Sequence, residues 1–227
     1  MIDFYFVDER GNCATNFETV SNNGEIIKYE VASKRFEVGV LKINSEHLRI
    51  MQNHLNNVRY FLNLSKEFET IVSAKTFIKL WDILENCHGS SHCYSFLSHI
   101  EKEKHNGPYL YHDTHRFRIF TIYRSLCYII NCLDNKAEKA QIVIDRFSMS
   151  YDNEKNTYDY FRYKLSKYYK EVEIAFLDSR CCDYLQLIDV ILTIFDEKNL
   201  ELNEKFSKYE TGFIKHKDFT SIENPVN

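Results

Sequence analysis

Six residues near the start of the chain, Ile2–Val7, are almost wholly apolar or aromatic and run into the turn-forming segment DERGN. A run of that length bounded by turn residues reads as a buried strand ending at Asp8. A further turn is expected at Asn22-Asn23-Gly24. Glu25–Ala32 and Arg35–Ile43, rich in Val, Ile, Tyr and Phe, then read as two arms of a hairpin. The opening is thus expected to be a three-stranded antiparallel meander. Ser45 can cap a helix carried by Leu48, Met51, Leu55, Val58 and Leu62 at helical spacing.

Beyond it, the pattern predicts a short strand at Phe68–Ser73 and a helix marked by Phe77, Leu80, Trp81 and Leu84. Cys87–Tyr111 shows no clear period. A long amphipathic helix is expected at Phe117–Leu133. Strand Ala140–Phe147, helix Tyr158–Tyr169, strand Val172–Leu177 and helix Tyr184–Phe195 follow, and the polar tail from about Lys215 is expected to be loose. Strands separated by helices after an opening meander describe an α/β domain. One domain over 1–227 is expected, with a helical insertion at about 74–135.

Composition adjusts this picture in a few respects. A chain of 227 residues, 44% hydrophobic and 27% charged, with 6 Gly and 2 Pro, has the makings of an ordered core. Seven cysteines at irregular spacing suit reduced thiols in a cytoplasmic protein better than a disulfide framework. The N-terminus lacks a signal-peptide pattern, and no apolar run is long enough to span a membrane. A formal charge of −4 makes the surface as a whole a poor attractor of polyanions, so nucleic-acid contact requires a local basic patch.

Three segments share a chemical feature: FYFVD, QIVID and EIAFLD each bring a carboxylate to the end of an apolar strand, at Asp8, Asp145 and Asp178. In CCDYLQLIDVILTIF, Gln186 and Asp189 lie on one helical stripe with Cys182 and Thr193, and Leu185, Ile188 and Leu192 flank Asp189. An inward-facing carboxylate costs several kcal/mol, roughly the penalty for a buried ion, unless a cation accompanies it. That cation is either an arginine or lysine, with Arg146 and Arg180 as candidates, or a hard divalent metal such as Mg²⁺ or Mn²⁺.

FYFVDERGN resembles the strand and "IDESG" opening of the family called domain of unknown function 3800. Leu177-Asp178-Ser179 with Leu185-Gln186-Leu187-Ile188-Asp189 is similar to its closing "DS…LQLAD" signature, and IVIDRF sits where that family has an intervening acidic strand. The resemblance spans nearly the whole chain through three short segments. It implies an RNase H-like mixed sheet, a metal-dependent nuclease activity on DNA or RNA, and a setting in bacteria or phage.

By that resemblance Asp8, Glu69, Asp145 and Asp189 are the catalytic carboxylates, with Asp8, Asp145 and Asp189 as metal ligands; Glu67 is second to Glu69. Glu9, Asp178 and Gln186 would orient them. Arg10 and Ile188 depart from the family's Ser and Ala. Arg10 could neutralise the acids or contact a phosphate. The alternative is therefore a catalytically degenerate module that binds a partner protein or a nucleotide.

Three other groupings compete for attention. Cys87, His88, His92 and Cys93 could offer zinc four donors, although Gly-Ser-Ser between them suits a turn with buried thiols. His112, His115 and Arg116 could serve as a base or phosphate contact, or simply begin a helix. Lys155–Lys170 interleaves Arg162, Lys164, Lys167 and Lys170 with tyrosines, as a nucleic-acid surface does. The same segment also reads as an amphipathic helix packing Phe161, Leu165 and Tyr168 against the sheet.

Overall fold

The computed structural model describes residues 1–11, 17–22, 25–30, 35–62, 93–105, 113–133, 137–147, 149–194 and 214–220. Its centre is a mixed sheet of six strands in the order β7-β6-β1-β4-β5-β8. These are β1 (Ile2–Arg10), β4 (Arg35–Asn44), β5 (Cys93–Glu101), β6 (Lys139–Asp145), β7 (Glu171–Leu177) and β8 (Ile214–Asp218). β4 runs antiparallel to both of its neighbours, β1 and β5, whereas β6 runs parallel to β1, β7 parallel to β6 and β8 parallel to β5.

The expected opening meander of Ile2–Val7, Glu25–Ala32 and Arg35–Ile43 does not form. Phe17–Asn22 (β2) and Glu25–Glu30 (β3) pair with each other in a separate two-stranded sheet. β4 therefore pairs not with β3 but with β1, Asp8 opposite Gly39. The range expected as a helical insertion, 74–135, likewise contributes β5 to the central sheet. The tail expected to be loose contains β8, held along β5. The predicted strand at 68–73 and helix around 77–84 lie outside the described residues.

Two helical layers cover the sheet. Helices α1 (Leu48–Leu62) and α4 (Asp183–Ile194) lie on one face, over Phe6, Leu41, Ile43, Leu97 and Val143. Helices α2 (Thr114–Cys132) and α3 (Tyr151–Leu165) cover the other, over Tyr5, Val7, Val38, Val40 and Ile142. Asp113 caps α2 by accepting from the Arg116 N–H, and Ser150 caps α3 by accepting from that of Asn153. Phe161 and Leu165 of α3 are fully buried in the sheet-facing core, as the amphipathic reading of that helix requires.

The strand period of two assigns each acid of β1 to a face. Phe6 faces α4, so Asp8 does too. Tyr5 and Val7 face α2 and α3, so Asp3 and Glu9 do as well. In β6, Asp145 shares the face of Val143 and thus of Asp8. Among the described residues no helix is long and apolar enough to cross a membrane.

Candidate carboxylate site

β1 and β6 are parallel and in register through Val7 opposite Ile144, so Asp8 and Asp145 follow at the same level at their carboxyl ends. Ligands in open α/β sheets collect at those ends. α4 packs against β1 and β4 and carries Asp189 to the same place. Its approach depends on Gly39, the residue opposite Asp8. A Cβ there would stand 3.0 Å from the Leu192 Cγ, closer than carbon atoms normally come.

The Asp8 side chain is 6% exposed. Burial pushes its pKa up to about 8, and the nearby charges of Asp145 and Asp189 push in the same direction, against one backbone hydrogen bond. That bond, from the Glu9 N–H to Oδ1, spans 2.7 Å. Two of the sequence-predicted acids, Asp145 and Asp189, therefore act electrostatically on a third, Asp8.

Glu9 lies on the other face and is matched there by Arg118 of α2, whose Nε stands 2.8 Å from its Oε1. Burial raises the Glu9 pKa to about 7, Arg118 draws it down and Asp145 pushes it up. Arg118 also lies over the Phe147 ring, 4.2 Å from its centroid. Sequence reading did not single out Arg118. Its signal was parity: the residue after Asp8 must face the α2 layer, and Arg118 is a cation in the segment that starts α2.

Asp145 is held by a 2.9 Å hydrogen bond from the Ser179 N–H to its Oδ1. The short turn Ser179–Cys181 that presents this N–H is capped by Asp178, which accepts from the Arg180 N–H at 2.9 Å. Fully buried Gln186 donates from Nε2 to the Ser179 carbonyl at 2.9 Å. Asp178 and Gln186 thus shape the turn that grips Asp145, and Asp178 itself is exposed. Arg10 is turned toward the end of α4, donating from Nη1 to the Leu192 carbonyl at 3.4 Å.

Arg146 and Arg180, the expected organic cations, are both exposed. Glu67 and Glu69 lie outside the described residues, as do Cys87, His88, His92 and His112. Cys93 is buried at the head of β5 in the α1 and α4 core. Among the described residues, no three His, Cys, Asp or Glu side chains form a group that could hold a metal ion as they stand. The donor atoms of Asp8, Asp145 and Asp189 are nevertheless all oxygens, the donor type that hard divalent cations prefer.

No protein-family model matches the chain, and no curated protein matches it. Among solved structures it is similar to the PCNA:RNase HII complex from Archaeoglobus fulgidus, with TM-score 0.50 and 11% identity over 98% of this chain and 82% of the other. That likeness concerns the fold: a mixed α/β architecture consistent with the RNase H-like arrangement.

Proposed function

We propose that the chain is a nuclease-like protein of RNase H-like fold that hydrolyses phosphodiesters of DNA or RNA with Mg²⁺ or Mn²⁺. The observation that carries this reading is the buried carboxylate of Asp8, lodged beside Asp145 and Asp189 at the carboxyl ends of parallel strands. Two independent lines support it: the similarity of FYFVDERGN and the closing Asp178–Asp189 segment to the domain of unknown function 3800, and the RNase HII neighbour.

In this reading Asp8, Asp145 and Asp189 hold the cation, and Glu69 completes the set from the strand expected at 68–73. A bound divalent cation would lower the pKa of a coordinated water and neutralise charge on the phosphate. The protein's part is positional. Ser179 fixes one oxygen of Asp145, and Gln186 fixes Ser179. Arg118 secures Glu9 on the opposite face.

The test is cleavage of labelled DNA and RNA by purified protein in Mg²⁺ or Mn²⁺. Activity should fall by about 100-fold or more in Asp8→Asn and in Asp189→Asn. Cleavage that survives both substitutions sinks the assignment.

One observation favours a second reading, the catalytically degenerate module: the described side chains do not form a ready metal group. Such a module would bind a partner protein or a nucleotide. The neighbour's assembly with PCNA makes a protein partner a reasonable candidate. Calorimetry with millimolar Mg²⁺ and Mn²⁺ separates the two readings, because only the first requires binding.

A further inference from the structure

Two groupings that the carboxylate site leaves unused meet across one groove. His115 and Arg116 open α2, and the tyrosine- and lysine-rich segment 151–165 is α3. Between them lies a cavity of about 610 Å³, within the range that takes small ligands. Its walls include Arg116, Phe120, Asn153, Asn156, Tyr160 and Lys164.

The wall chemistry is selective. Tyr160 and Phe120 supply aromatic surface, and the Lys164 ammonium stands 5.9 Å from the centroid of the Tyr160 ring. Arg116 is 70% exposed and pairs through Nε with Asp113 Oδ2 at 3.1 Å. Arg116 and Lys164 against Asp113 leave the lining positive in a chain whose formal charge is −4. Asn153 and Asn156 add amide donors and acceptors of the kind that read base edges.

The groove is also braced. His115 Nε2 lies 3.2 Å from the Oγ1 of buried Thr157, tying the start of α2 to α3. The His115 ring packs on Phe147 at 6.2 Å, and Phe147 carries Arg118, the partner of Glu9. A continuous set of side-chain contacts therefore joins this groove to the residue that follows Asp8.

We propose that the α2–α3 groove binds a nucleoside phosphate, with the base stacked on Tyr160 and the phosphate held by Arg116 and Lys164. The ligand is either a free nucleotide or one unit of a single strand, two sources with one chemistry. The proposal rests on the phosphodiester reading only in treating such a strand as substrate. Binding itself needs no metal.

The experiment uses the full chain in EDTA, with adenosine monophosphate and a labelled short single-stranded oligonucleotide as probes. Calorimetry and fluorescence anisotropy read the binding, and circular dichroism checks each variant's fold. Arg116→Ala and Tyr160→Ala should each weaken binding about tenfold, the scale of one lost stacking or phosphate contact. Tyr160→Phe should retain it.

Competition between the two probes identifies a single-nucleotide pocket, and binding of the oligonucleotide alone identifies a strand groove. No binding of either probe by folded protein overturns the proposal. So does binding indifferent to both alanine variants. Absence of cleavage with groove binding intact sinks only the hydrolytic reading.

Discussion

β1 buries an aspartate near each of its ends, and the two are treated in opposite ways. Asp3 is 1% exposed and is paired with a buried cation. Its Oδ1 lies 2.9 Å from the ammonium of Lys42, itself buried, and its Oδ2 accepts from the Ala137 N–H and the Tyr169 hydroxyl, each at 3.2 Å. Tyr169 is joined in turn to Tyr5 at 2.5 Å. Asp8 is almost as deeply buried, but the carboxylates of Asp145, Asp189 and Glu9 act on it and one backbone N–H offsets them. One strand thus shows what burial of a carboxylate looks like when it serves the fold. The contrast is what the proposed reading of Asp8 as a cation ligand draws on: among the described residues, its burial is not matched by a cation of the kind Lys42 gives Asp3.

The largest expected effect breaks the compensated end. Lys42→Met leaves Asp3 buried without its cation and should cost about 3–5 kcal/mol in urea unfolding. At the other end the sign reverses. Asp8→Asn removes the cost of protonating a carboxyl on folding and should stabilise the protein by about 1–3 kcal/mol at neutral pH in the absence of metal.

The pH dependence sharpens the same difference. The Asp8 pKa rises from 3.8 to about 8 on folding. Below about pH 4 the acid is protonated in both folded and unfolded chains and costs nothing. Between those values the unfolded chain ionises first, so the Asp8 contribution to stability falls as pH rises, reaching its full penalty above about pH 8. Thermal melts of wild type and Asp8→Asn should diverge across that interval, with the variant the more stable on the alkaline side.

A smaller effect is expected at Gly39. Alanine there brings a Cβ against Leu192 and should cost about 1–3 kcal/mol by overpacking while displacing α4, and Asp189 with it. Stability and metal affinity should both decline, and crystallography or chemical-shift mapping would locate the displacement.

Much of this geometry was written in local pattern. β1, β6, β7 and helices α2 to α4 follow from apolar runs and helical periods, and the acids at Asp8, Asp145 and Asp189 came with them. β5 was hidden because CYSFLSHIE buries polar residues. Ser98 lies between the Val38 carbonyl and the Ser125 hydroxyl, 2.6 Å from the latter, so a satisfied polar contact occupies an expected core position. β8, IKHKD, has the composition of a solvated tail and is a strand through its pairing with β5. The pairing of β1 with β4 is non-local, and no adjacent residue announces it. The role of Arg118 depends on two layers meeting, which only the assembled sheet decides.

In the proposed reading, a divalent cation relieves the pressure that Asp145 and Asp189 put on Asp8. Titration calorimetry with Mn²⁺ on wild-type protein, Asp8→Asn and Asp3→Asn tests it most directly. The account predicts saturable binding to the wild type, its loss in Asp8→Asn and its retention in Asp3→Asn wherever that variant remains folded. Equal binding by the wild type and Asp8→Asn, or no binding to the wild type at millimolar metal, would contradict it.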